Sequence, residues 1–470
     1  VLNYLNYMQR ITISKNNFLK GRSTFKDVTD GGYGVNTTGV ETSRYLSNLG
    51  RLVQGRLLDD LSDNVADNIL ASTQANYSGG ALRYLAIGDA GKIYQIAAAL
   101  SLTTTVLATE SNNTYDTNSD VLVYKDKAYY TATTDIAQSS ITGTSLDHDW
   151  WTNTKSKSAL TAGVKHKMIT FFDTMYITNG NVLASWNGAT AVDAALTLPE
   201  NWVITDVVIF QNQLYISASY YVDDTTYNTD TKIFVWDGAN PASTTWQQEI
   251  DIDTATIGSM RVVNQNLYFF AARSLYLLVG YQAKLVKNIG TSTMPNWKQL
   301  GVYGSTLYFA TSTGIHGYDT RFDALSNPIY TTDTINNFFI GLNDTFAIAT
   351  PTNKLYRATS NSGVTNSIFY SNVIDFNQPV FIRRVEILFA DALVSGADYD
   401  ISILDEKDTV VYTEDITYAD DGAIVKFSDN KMKAVSVDSM EFKLVNNNGA
   451  NSPIVAIHIY YESTSRRESK

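Results

Sequence analysis

The chain has no cysteine, only four histidines and only seven prolines in 470 residues. Without cysteine there is neither a disulfide framework nor a thiolate metal site, and the redox compartment is left open. Charge is also sparse, at 17% Asp, Glu, Lys and Arg, and the formal balance is −12. An acidic chain is not built as a general or sequence-specific nucleic-acid binder, because phosphate recognition relies on clustered Lys and Arg that release counterions. The one tight basic cluster, RRESK at Arg466 to Lys470, reads as a solvated tail. Long apolar runs are missing too. The smoothest, Ile93 to Ala108, is interrupted by Gln95 and hydroxyls and falls short of the about 20 apolar residues that a bilayer needs, so no membrane span is expected. The opening VLNYLNYMQRITISKNN lacks the parts of a secretion signal. The expectation is a soluble protein without an export signal, with Met8 as an alternative natural start to Val1.

What the chain has instead is aromatic and β-branched material. There are 30 tyrosines, and hydrophobic residues make up 44% of the chain, enough to fill sizeable cores. One phrase recurs: an apolar strand, a short polar turn, and a hydrophobic–aromatic strand ending in small residues. It appears as LRYLAIGDAGKIYQIAA, DVLVYKDKAYYTAT, KMITFFDTMYITNG, VVIFQNQLYISAS, MRVVNQNLYFFAA, GSTLYFATSTGIHGYD and FFIGLNDTFAIATPTNKLYRAT. The turns KDK, FDT, QNQ, NQN, YGS and NDT carry Asn, Asp or Gly, which accept the positive φ of tight hairpins. Tyr94, Tyr129, Tyr176, Tyr215, Tyr268, Tyr308 and Phe346 are aligned at intervals of about 40 residues, the period of a propeller blade. In TLYFAT, Leu307 and Phe309 face one side and Tyr308 the other, so both faces are apolar, as stacked blades require.

The expected fold is therefore all-β: a β-propeller of seven blades, or else six, over 81–361. It is flanked by an N-terminal arm over 1–80 and a C-terminal β-sandwich with a basic tail over 362–470. The arm is expected to hold one strand, Arg10 to Ser14, a Gly-rich loop, and a short helical stretch within SNLGRLVQGRLLDDLSDNVADNILAS. It is expected to clasp the last blade or a neighbouring subunit. The sandwich is expected from long strands such as VFIRRVEILFA and IVAIHIYYE joined by Asp- and Asn-rich turns.

The search for chemistry finds little. His148 lies between Asp147 and Asp149, but neighbours on a strand point to opposite faces and do not close around one ion. His316 and His458 have no evident nucleophile or base beside them and are expected to be packing or surface residues. The acids of RLLDDLSDNVADN and YYVDDTTYNTDT read as solvated, with a paired-carboxylate glycosidase as the weaker reading. No catalytic residue, cofactor site or metal site is assigned. Tryptophans near turns are expected to be core, except the pair Trp150 and Trp151, kept as a candidate glycan contact.

The segment from Met8, MQRITISKNNFLKGRSTFKDVTDGGYG, with Ile11 to Ser14, Lys20–Gly21 and Gly31–Gly32, followed by propeller phrases, resembles the start of propeller-bearing structural proteins of tailed-bacteriophage virions. The resemblance implies a non-enzymatic tail, neck or nozzle component, made in the host cytoplasm and placed in the virion. Its implied partners are other tail or neck proteins and further copies of itself. A tail-tip protein that binds host glycan or receptor is the alternative, and a propeller glycosidase or lyase a third. Fold alone decides none of these.

Overall fold

The computed structural model describes residues 9–14, 40–42, 52–54, 58–60, 67–76, 82–97, 104–142, 145–223, 226–239, 242–253, 256–289, 295–311, 314–326, 335–340, 346–350, 355–358, 367–371, 373–405, 407–417, 424–427, 436–448 and 452–463. Lys20–Gly21, Gly31–Gly32, the NDT turn and the tail Arg466 to Lys470 lie outside the described residues, as does the side chain of Phe346. The chain is all-β and divides into two compact units, one of residues 59–315 and 331–358, the other of residues 1–58, 316–330 and 359–470.

Among the described residues, seven four-stranded sheets are arranged as the blades of the propeller. Blade 1 is Ile69–Asn76, Leu82–Gly88, Lys92–Ala97 and Thr104–Thr109. Blades 2 to 6 begin with Val121–Tyr124, Met168–Phe171, Trp202–Phe210, Ser259–Val263 and Leu300–Tyr303 respectively. Blade 7 begins with Asn337–Ile340, and its fourth strand, Leu58–Asp60, comes from far upstream in the chain. First strands neighbour one another from blade 1 through blade 5. Blade 6 follows in the same way with blade 7, and blade 7 returns to blade 1. Between blades 5 and 6 the Ser259 hydroxyl donates to the Pro295 carbonyl at 2.6 Å, and Phe270 packs on Phe309 with ring centroids 4.9 Å apart. The ring is closed, which leaves no blade face open.

The turn chemistry explains why these residues form hairpins. Lys125–Asp126, Phe172–Asp173, Gln211–Asn212 and Asn264–Gln265 each place two successive residues at positive φ, the geometry of a two-residue hairpin turn. Ala272–Arg273 does the same without Asn, Asp or Gly, and nothing in its residue types announces it. Apolar layers then form between blades. One contains Tyr124, Tyr129, Ile136, Met168, Ile177 and Trp186 from blades 2 and 3, and another contains Ile204, Leu214 and Phe234 with Phe171 and Leu183 from blades 3 and 4. Each fully buried aliphatic or aromatic side chain contributes about 1.5–3 kcal/mol, so the interblade layers dominate the unit's stability.

The helical stretch expected before blade 1 is corrected: its described residues are strands, Leu52–Gln54, Leu58–Asp60 and the start of Ile69–Asn76. Ring closure and pairing with neighbouring strands override a spacing that also suits a helix. Tyr94 is corrected as well. It lies on the third strand of its blade, whereas Tyr129, Tyr176, Tyr215, Tyr268 and Tyr308 lie on second strands.

The other unit contains a ten-stranded hydrogen-bonded set in the order Val40–Thr42, Leu52–Gln54, Ile454–Ser463, Ile374–Phe389, Ser436–Asn446, Asp398–Leu404 and Val410–Thr417, with three further strands paired off this path. Gln9–Ser14, the expected strand of the arm, is one of these and pairs antiparallel with Ile454–Ser463 from Gln9 opposite Tyr461 to Ser14 opposite Ala456. The long strands Ile374–Phe389 and Ser436–Asn446 link the whole set, and the hydrogen bonding does not by itself divide it into the two sheets of a sandwich. A single apolar core runs through it, with Ile382, Val385, Ile387, Ile401, Ile403, Phe442, Ile457 and Ile459 all at 0% exposure.

Candidate functional site

The most highly charged interior of the described residues lies where the first strands of the blades converge. Asp120 precedes the first strand of blade 2. Its Oδ1 accepts from the Val121 amide at 2.9 Å, and its Oδ2 accepts from the Met168 amide of blade 3 at 2.8 Å. Asp206 repeats the device two blades on. It accepts from the Val207 amide at 2.8 Å and from the Met260 amide of blade 5 at 2.6 Å, and a register shift between Ile204 and Asp206 sets it in place. Asn337 is the neutral version in blade 7: Oδ1 accepts from the Phe338 amide, and Nδ2 donates to the Ser72 hydroxyl of blade 1 at 2.8 Å. Each side chain accepts from the amide of the residue that follows it and reaches across to another blade.

Four cations surround these acids. Lys167 Nζ donates to Asp206 Oδ1 at 2.5 Å and to the Val207 carbonyl at 2.7 Å. Lys165 Nζ donates to the carbonyls of Thr205 and Gly258 at 2.9 and 3.1 Å. From the far side of the ring, Lys298 of blade 6 donates to the carbonyls of Thr117 and Ser119 before blade 2, at 2.6 and 3.0 Å. Arg261 donates to the carbonyls of Met260 and Trp297. Burial pulls the Lys167 and Lys298 ammoniums down to about 8, partly offset by Asp206 for the first and by Asp120 for the second. Burial likewise lowers Lys165 and Arg261, and it raises Asp120. None of these residues was singled out in the sequence. The available signal was a charged residue in or just before an otherwise apolar strand, as in KHKM, TDVV and SMRVV.

The sequence candidates fall elsewhere. Trp150 and Trp151 are 2% and 1% exposed, on a short π-helical turn packed against Tyr129 and Trp186. Sugar stacking by this pair is corrected to a core role, because both rings are enclosed. Tyr94, Tyr129, Tyr176, Tyr215, Tyr268 and Tyr308 are all buried. His148 pairs through Nδ1 with the buried Glu110 at 2.7 Å, while Asp147 and Asp149 accept from Thr154 and Asn153 and do not converge on it. Burial raises the Glu110 carboxyl, but hydrogen bonds from the Asn112 amide, Asn113, His148 and Tyr115 bring it net below the usual range. The dyad fastens a loop, together with Asn112, Asn113 and Tyr115. His166 and His316 are buried, and His458 pairs with the Thr12 hydroxyl at 2.9 Å. Among the acids expected to be solvated, Asp67 is buried, an exception to that expectation. It accepts from the Ala90 amide, and burial together with Asp89 lifts its carboxyl to about 6. No group of three His, Cys, Asp or Glu among the described residues is arranged to hold a metal ion. No described helix is long and apolar enough to cross a membrane.

No family model matches the chain, and no curated protein does. Among solved structures, the WD40 β-propeller domain of Doa1 aligns at 10% identity and TM-score 0.44, covering 65% of this chain and 97% of that one. YCF48 from Cyanidioschyzon merolae aligns at 8% and 0.45, covering 64% and 98%. The Pan2 WD40 domain of Neurospora crassa aligns at 10% and 0.42, covering 63% and 90%. Two of these are WD40 domains, and the sheet order described above, not the likeness, carries the fold: an all-β chain built around a β-propeller.

Proposed function

We propose that this protein is a non-enzymatic building block that assembles through the rim of its propeller with further copies of itself. The observation that carries this reading is one hairpin of blade 5. Val279, Tyr281 and Leu285 are exposed there at 53%, 65% and 55%, and Lys284 and Lys287 stand on the same outer strand, Gln282–Asn288, in a chain of net charge −12. An outer strand that is apolar and locally basic is matched to the acidic surface of another copy. The charged interior, by contrast, faces inward and joins blades to one another. The setting we assign, the tail, neck or nozzle of a tailed phage, rests on the resemblance of the N-terminal segment alone.

Mass photometry of the full chain, followed by electron cryomicroscopy, tests this reading. A symmetric oligomer is expected, and Tyr281→Ser with Leu285→Lys is expected to return it to monomers while leaving the fold intact. A wild-type protein that stays monomeric at micromolar concentration overturns the reading and moves the assignment to a receptor-binding protein.

A further inference from the structure

Among the described residues, positive charge is in excess at the convergence of the first strands. Lys165, Lys167, Arg261 and Lys298 face Asp120 and Asp206. Asp116 also acts on Lys298, but its oxygens accept from the Asn118 amide and side chain and from the Ser119 hydroxyl. Even with Asp116 counted, cations outnumber carboxylates. Backbone carbonyls accept the lysine protons without neutralising the charge.

The unspent hydrogen-bonding groups have one polarity. Trp297 is 3% exposed, and its indole N–H has no partner among the described residues. Lys165 and Lys298 hold their ammoniums 5.5 and 5.1 Å from the Trp297 ring centroid, and Arg261 donates to the Trp297 carbonyl. Each of these two ammoniums has three N–H groups and spends two on carbonyls. Unused donors and uncompensated positive charge thus gather around one residue. What complements them is a small ligand that only accepts hydrogen bonds and is negatively charged.

We propose that the centre of the propeller binds one tetrahedral oxyanion, of the phosphate or sulfate class, between Lys165, Arg261, Lys298 and the indole N–H of Trp297. The ligand neutralises the buried Lys298 and the half-buried Lys165 and Arg261, and ties blades 3, 5 and 6 together at the ring centre.

Isothermal titration of the full chain with sodium sulfate, at ionic strength matched with sodium chloride, tests the proposal. Saturable one-site binding is expected. Trp297→Phe keeps an aromatic face for the ammoniums and removes one donor, and is expected to weaken binding about five- to tenfold. Lys165→Met is expected to abolish it. Sulfate also stabilises proteins generally by exclusion from their surface, so melting is followed in parallel. A saturable rise in wild type that is lost in Lys165→Met supports the site. Equal rises in both, or no saturable heat, overturn it. Should Lys165→Met fail to fold, Trp297→Phe decides alone: unchanged affinity overturns the proposal. Inorganic phosphate and glycerol 3-phosphate titrated side by side identify the source. Equal affinity assigns a phosphoryl group carried by a larger molecule, and binding of the free ion alone assigns a free ion.

Discussion

The two units hold their strands together by different means. In the ten-stranded unit, a continuous aliphatic and aromatic core does the work, and its ion pairs, such as Arg383 with Glu462 at 2.9 Å, keep solvent contact. Within 359–470 no described Lys, Arg or Asp is buried, and the buried charged residues are the two carboxylates Glu386 and Glu441. In the propeller, apolar layers fill the spaces between blades, but the strand heads that crowd together near the centre are joined by buried Asp, Lys and Asn. The contrast follows from geometry. Side chains of a sheet meet across a face, so burial alone registers them, whereas strand ends expose unpaired amides and carbonyls that only polar side chains satisfy.

The largest expected effect breaks that contrast from the polar side. Asp206→Ala removes the acceptor for two amides and leaves Lys167 buried without its counter-charge. It is expected to cost about 3–5 kcal/mol in urea unfolding. A loss below about 1 kcal/mol would show that the staple is dispensable. From the apolar side, Ile401→Ala in the ten-stranded core is expected to cost about 2–5 kcal/mol by leaving a cavity. That loss should stay the same from pH 7 to pH 10.

The propeller should not share this indifference to pH. Lys167 and Lys298 release their protons near pH 8 when folded, but near 10.5 when unfolded. The unfolded chain therefore binds more protons between those values, and stability rises as pH climbs through the window. Calorimetry in chloride buffer should show the propeller transition moving up from pH 7.5 to 10, and Lys298→Met should flatten the rise. Saturating sulfate should flatten it too, by holding the ammoniums charged in the folded state. A flat wild-type profile in chloride would mean that these lysines are solvated. The smallest effect belongs to the rim. Leu285→Lys should change stability by no more than about 0.5 kcal/mol, as an exposed position does, while altering only the oligomeric state.

The repeated hairpins were legible in the sequence because their information is local. Asp126, Asp173, Asn212 and Asn264 mark turns within a few residues of the apolar runs they join. Strand Leu58–Asp60 was not legible, since its partner lies at Leu355–Ala358 and three residues carry no periodicity of their own. The charged centre was hidden for the same reason. Lys298 and Ser119 are hydrogen-bonded yet stand on different blades far apart in the chain, so only ring closure shows that they meet. Trp150 and Trp151 misled in the opposite direction, because an irregular segment can fold its rings inward as readily as a strand does.

The latch formed by Leu58–Asp60 has a consequence for how the protein is made. At about 5–20 residues per second, the ribosome needs roughly 15–60 s to reach the strand that this segment must join. Throughout that interval the early blades exist as an open arc, with one end waiting for a partner not yet synthesised. The molecule becomes a ring only once Leu355–Ala358 has been made, so any factor that shields nascent chains has a defined task here: keeping two neighbouring arcs from latching onto each other.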